Sequence, residues 1–331
     1  MALGKRVKDT DYIYAVARVK AVSNRLLSRS SVERMLDAPD VTEAAKVLQE
    51  AGWELAGRNY ERMFAGELKS ASGFVASLAR QDGLFDAFLL RYDYQNVKVL
   101  FKSEMLGQEE VTALTDAGTV PPGGVQAAYR EREYGKLPRR MGMAVEECLE
   151  LFSKRRDPQQ ADMLFDRSCF MDMVDAAVET GVEYIRDVVA VMADTANSKT
   201  FLRARQIEAF PLRDALVDGG HISKDTFLRS AGEGLDVFLA RLQGTPYSEI
   251  IEECAEELEK DGGMTLVEKQ LDNYLLDFVS SARTLSFGVE PLIAYLFLKE
   301  NEIRIARIIL SGKQNAIPNA LIEERLRNTY V

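Results

Sequence analysis

The residue types able to do chemistry are few in this chain, and they are scattered. Its single histidine, His221, sits in Gly219-Gly220-His221, a sequence that reads as a turn. One imidazole rules out a His-Glu-x-x-His zinc helix and leaves little room for Cys/His metal clusters. Ser311-Gly312-Lys313-Gln314 lacks the first glycine and the hydroxyl residue of a phosphate-cradling loop, and no G-x-G-x-x-G occurs. The three cysteines, Cys148, Cys169 and Cys254, are odd in number and far apart, with no C-x-x-C among them. They read as buried or half-buried thiols of a reducing compartment. The Phe and Met residues around Phe165–Met173 read as core. Carboxylates are abundant, but the densest cluster follows helical spacing and forms a wet face. No catalytic, cofactor-binding or metal-ligating residue is therefore expected, and neither is nucleotide binding.

A repeated polar pattern is more informative than any motif. Asp93-x-x-Asn96-x-Lys98 recurs 101 residues later as Asp194-x-x-Asn197-x-Lys199. Gly118-Thr119-Val120 recurs 102 residues later as Gly220-His221-Ile222. A weaker third copy is Glu302-Ile303-Arg304, with Arg304 lying 105 residues beyond Lys199. Gly107 and Gly312 follow Lys98 and Arg304 at nearly equal distances. Leu48-Gln49 with Trp53 resembles Leu242-Gln243 with Tyr247. A period near one hundred is too long for a solenoid repeat. It points to three related domains, 1–115, 116–218 and 219–331. Asn96 falls on the stripe Phe85, Leu89, Tyr92, Val99, and Glu302 on the stripe Leu298, Ile305, Ile309. A polar group on an apolar stripe must find a partner, since an unpaired one costs about 1–3 kcal/mol. Either it fixes the register between helices, or it lines an opening. The stripe argument fails at Asn197, whose neighbours at four before and three after are Ala193 and Thr200.

The elements that would position these residues are helices. Tyr12, Ala15, Val19, Val22 and Leu26 recur at steps of three and four. Asp40 is placed to cap a helix whose apolar side is Val41, Ala44, Ala45, Leu48 and Ala51. In the acidic stretch 249–261, Ile250, Ile251, Cys254 and Leu258 face one way and Glu249, Glu252, Glu253, Glu256, Glu257 and Glu259 the other. Breaks are expected at Pro121-Pro122-Gly123-Gly124, Asp157-Pro158, Gly219-Gly220 and Asp261-Gly262-Gly263. No series of alternating strands appears, so the fold class is all-α.

Composition narrows the class. The chain has 331 residues, 47% of them hydrophobic and 28% charged, enough for a sizeable core. No uncharged run approaches the ~20 residues of a membrane span. Lys5, Arg6 and Lys8 have no apolar run behind them, so a secretory signal is not expected. A net charge of −10 opposes nucleic-acid binding and adsorption to anionic lipid. The charge is uneven, basic through residues 1–36 and acidic through 249–261, which suits either solvated faces or protein docking.

Three segments, Tyr12-Ile-Tyr-Ala-Val-Ala-Arg-Val-Lys20, Leu90-Arg-Tyr-Asp-Tyr-Gln-Asn-Val-Lys98 and Phe297-Leu-Lys-Glu-Asn-Glu-Ile-Arg304 with Gly312-Lys313, are similar to the C-type subunit of prokaryotic V/A-type ATPases, the counterpart of the d-type subunit of eukaryotic V-ATPases. The similarity runs over essentially the whole chain. It implies three helical domains set pseudo-threefold as a funnel on the cytoplasmic side of the membrane. It implies a non-catalytic central-stalk subunit that joins the axle subunits to the proteolipid rotor ring and transmits torque for H⁺ or Na⁺ transport. It also implies that Asp93, Asn96, Lys98, Asp194, Asn197, Lys199, Glu302 and Arg304 occupy equivalent positions, structural or cavity-lining. The competing readings are an unrelated all-helical protein–protein adaptor and an enzyme with a carboxylate site.

Overall fold

A computed structural model describes residues 8–329 of the protein, apart from 56, 58, 109, 110, 112, 113, 259, 261 and 262. Lys5, Arg6, Glu259, Asp261 and Gly262, singled out above, lie outside the described residues. The fold is all-α, with no strand among the described residues. The chain divides into two compact units, one formed by residues 1–82 and 250–331, the other by residues 83–249.

The unit that holds both termini begins with α1 (Ile13–Ser23), α2 (Arg29–Asp37), α3 (Val41–Glu50) and α4 (Tyr60–Leu78). The second unit contains α5 (Asp86–Met105), α6 (Pro122–Arg130), α7 (Arg139–Arg155), α8 (Pro158–Thr180), α9 (Glu183–Ala204), α10 (Leu212–Ala215), α11 (Lys224–Ser230) and α12 (Leu235–Leu242). After α13 (Pro246–Glu253) the chain completes the first unit with α14 (Ala255–Leu258), α15 (Gly263–Ser280), α16 (Glu290–Gln314) and α17 (Asn319–Glu323).

Local chemistry sets many of the helix starts. Asp40 caps α3, its carboxylate accepting from Thr42 N and Glu43 N. Ser28 and Ser223 cap α2 and α11 in the same way. The expected break at Asp157-Pro158 is a helix start, with Asp157 accepting from Gln159 N and Pro158 in the first turn of α8. Pro122 likewise opens α6, which then runs on through Gly123 and Gly124. The acidic stretch differs from expectation. It is not one helix: α13 ends at Glu253, Cys254 interrupts it, and α14 is a single short turn. Leu26 lies beyond the end of α1, although it is buried as its spacing suggested.

Each unit has its own core. In the first, α16 packs against α1, α3, α4 and α15; it is buried nearly all round from Pro291 to Ile303, and beyond that it exposes Arg304, Arg307 and Ser311 on one side. The half buried on every face blunts the amphipathic signal of the whole helix. Met35, Leu48, Trp53 and Phe64 meet Ala306 and Ile309 there. In the second unit α5 packs on α8, and Phe101 meets Phe152 and Phe165 edge to face. A second aromatic group, Phe201, Phe227 and Phe238, joins α9 to α11 and α12. Cys148, Cys169 and Cys254 are free and buried. Among the described residues, no helix is long and apolar enough to cross a membrane.

Candidate functional site

The repeated polar residues turn out to be clasps. Asp93 and Asn96 sit one turn apart on α5, and both are fully buried. Asp93 Oδ2 accepts from Thr119 N at 2.8 Å and Thr119 Oγ1 at 2.7 Å, and Oδ1 accepts from Val120 N at 3.1 Å. Asn96 bonds both ways to one residue: its Nδ2 donates to Thr115 O and its Oδ1 accepts from Thr115 N, each at 2.8 Å. The loop 115–120 is thereby fastened to the long helix just before α6 begins. Gly118 is required by this closeness, since a Cβ there would stand 1.9 Å from Asp93 Oδ1.

The same geometry recurs on α9. Asp194 accepts from His221 N at 3.0 Å and Ile222 N at 2.9 Å. Asn197 donates to Val217 O at 3.0 Å and accepts from Val217 N at 2.8 Å. A Cβ on Gly220 would come within 2.1 Å of Asp194 Oδ1. The apolar-stripe argument, which failed at Asn197, therefore missed a residue only 1% exposed. The repeat offset found it.

The third clasp, on α16, is built differently. Glu302, 4% exposed, accepts from Leu27 N at 3.2 Å and Trp53 Nε1 at 3.3 Å through Oε1. The ammonium of Lys299 lies 3.2 Å from Oε2 and 2.8 Å from Glu67, over the Trp53 ring. By sequence offset Glu302 lines up with Asn96 and Asn197. By role it matches the aspartates, because Leu27 directly precedes Ser28, the cap of α2, as Val120 and Ile222 precede the caps of α6 and α11. Each of the paired aromatics reaches a long clasp-bearing helix. Trp53 reaches Glu302 on α16, and Tyr247 OH donates to Val191 O on α9.

The basic positions are less alike. Lys98 pairs with Asp166 on α8, and Arg304 with Asp272 on α15, so the two serve different helix contacts. Lys199 lies on α9, half-buried. The glycines that follow also differ: Gly107 ends α5 in a left-handed conformation, whereas Gly312 lies inside α16. Gly312-Lys313, which looked like a remnant of a phosphate loop, has a structural use. Lys313 Nζ donates to Leu36 O and Ala38 O, satisfying carbonyls at the end of α2.

Burial raises the pKa values of Asp93, Asp194 and Glu302 above the ordinary carboxylate range. The bonds from Thr119 and Val120 and from His221 and Ile222, and at Glu302 the charge of Lys299 with the bonds from Trp53 and Leu27, pull the other way. These groups are enclosed and engaged with their own chain, as suits structural acceptors and not general acids or nucleophiles. Trp53, Lys299 and Glu67 belong to the third clasp and were not singled out as site residues by the sequence. The lone Trp beside Leu48-Gln49 was the available signal.

Comparison with known proteins decides the family. The family model for the ATP synthase (C/AC39) subunit matches residues 15–325. The chain belongs to this family. Members of the C/AC39 family are non-catalytic subunits of V/A-type rotary ATPases and ATP synthases. The C-type subunit of the V-type sodium ATPase of Enterococcus hirae is 23% identical over 92% of this chain and 94% of its own length. Its counterpart in the A-type ATP synthase of Desulfurococcus sp. is 23% identical over 96% and 91%. That of Thermococcus gammatolerans is 24% identical over 96% and 92%. All eight positions named from the sequence lie within the stretch that matches the C/AC39 family.

Proposed function

We propose that this chain is the coupling piece of a V/A-type ATPase, joining the central axle subunits to the membrane proteolipid ring on the cytoplasmic face and transmitting torque between them. The observation that carries the reading is the match of the family over residues 15–325, together with C-type ATPase and ATP synthase relatives aligned along nearly their whole length. The chain is read as three related helical domains, 1–115, 116–218 and 219–331, set pseudo-threefold as a funnel. The threefold repeat is supported by the clasps at Asp93, Asp194 and Glu302, each of which fastens a long helix of one repeat to a segment numbered in another. Torque transmission requires a body that does not yield under load. Closely packed helices with their loops fastened by buried hydrogen bonds favour such a body.

A coupling piece is dispensable for the chemistry and essential for the transport. Deleting the chain is expected to leave ATP hydrolysis by the detached headpiece intact and to abolish ion pumping by reconstituted vesicles. Pumping that survives the deletion would overturn the proposal, as would headpiece hydrolysis that requires the chain.

A further inference from the structure

The first two clasps satisfy both carboxylate oxygens with backbone donors. Oδ2 of Asp93 and of Asp194 takes the N–H of Thr119 and of His221, while Oδ1 takes the next N–H along. In the third clasp Leu27 supplies the equivalent of that next N–H. The residue before it is Leu26, and its N–H bonds instead to Ser23 O at the end of α1. Glu302 Oε2 is left buried, with Lys299 as an ion-pair neighbour but, among the described residues, with no group donating a directed hydrogen bond to it. One residue earlier, Asn301 shows the same deficit. Its Nδ2 donates to Asn328 O at 2.9 Å, which fixes the amide orientation, and its Oδ1 is buried with no donor among the described residues.

Both residues line one small cavity of about 20 Å³, walled by Leu26, Leu27, Leu298 and Ile305, with Thr329 as a third polar neighbour. A cavity needs roughly 10–15 Å³ to hold one water, and the water needs two to four polar partners. Two adjacent buried acceptors lacking donors, each a penalty to the folded state, border a space the size of one donor molecule. We propose that a single water is bound here, donating one hydrogen to Glu302 Oε2 and the other to Asn301 Oδ1. It replaces the N–H that Leu26 withholds. A metal cation does not suit the site, because the Lys299 ammonium 3.2 Å from Oε2 already supplies the positive charge. An apolar occupant would leave both oxygens unpaired.

The test is a crystal structure of the full chain at a resolution that places solvent. It should show one density peak within about 3.2 Å of both oxygens. In solution, the amide of Leu27 should show the cross-relaxation with water that marks a long-lived internal molecule. Asn301→Leu removes one acceptor and fills the space, so both signals should vanish while the bond from Leu27 N to Glu302 remains. A cavity without density would overturn the proposal, and so would the Lys299 ammonium or the Thr329 hydroxyl bonded directly to Oε2 in its place. These wild-type results stand even if the variant does not fold.

Discussion

The clasps in the Gly83–Glu249 unit and the clasp in the unit holding the termini meet one physical demand in two ways. A carboxylate buried beside a long helix must have its charge balanced and its oxygens bonded. Asp93 and Asp194 use backbone dipoles: two consecutive N–H groups converge on the carboxylate, and a glycine lets the loop approach closely enough. Glu302 is one methylene longer. It uses a single backbone N–H, an indole N–H and a counter-charge, Lys299. Fixed dipoles tie the first design to one loop path and to glycine. A salt bridge frees the third from glycine but makes it depend on several side chains, and breaking one buried charged partner is severe.

The contrast is tested most strongly at the charged clasp. Glu302→Leu leaves Leu27 N and Trp53 Nε1 without an acceptor and Lys299 with Glu67 alone. A loss of about 3–5 kcal/mol is expected on urea unfolding. A loss below about 1 kcal/mol, the range of an exposed pair, would show that the carboxylate does not hold this region together.

A smaller effect belongs to the glycines. Gly118→Ala and Gly220→Ala each drive a methyl group against a clasping carboxylate and should destabilise by about 1–3 kcal/mol. Gly66, exposed on α4 with nothing near its Cβ direction, is the control. Gly66→Ala should stabilise by about 0.5–1 kcal/mol. Equal responses at all three positions would remove the special role given to the loop glycines.

The smallest effect is in pH. Burial raises Asp93 above its ordinary value of 3.8. An acid raised in the folded state contributes stability at low pH, and this is lost as pH rises through the raised value. Relative to Asp93→Asn, the wild type should therefore gain stability on acidification from neutral pH toward 3.8. Paired unfolding curves measure the gap. A wild type that loses stability relative to Asp93→Asn on acidification would mean that the bonds from Thr119 and Val120 outweigh burial.

The helical class was legible in the sequence because α1, α3 and α5 keep apolar residues at three- and four-residue steps. The boundaries of the acidic stretch were not, since Cys254 continues the helical spacing while the backbone turns there. The repeat showed which positions would be equivalent at the first two clasps, and even marked Gly118 and Gly220. At the third, the sequence offset and the hydrogen bonding pick different counterparts. The offset aligned Glu302 with asparagines, because a period counted along the chain cannot see that a longer side chain has taken over a neighbour's bond. Leu27 and Trp53 lie about 250 residues or more from Glu302, and no local pattern links groups so far apart.

The three cysteines have a practical consequence. Burial raises all three thiols, that of Cys169 to about 12, so at neutral pH they are protonated and hidden from reagents. The native chain is thus a silent background for site-directed chemistry. A fluorophore or a cross-linker attached through one engineered surface cysteine would report from that position alone, without removing any cysteine that the core is packed around.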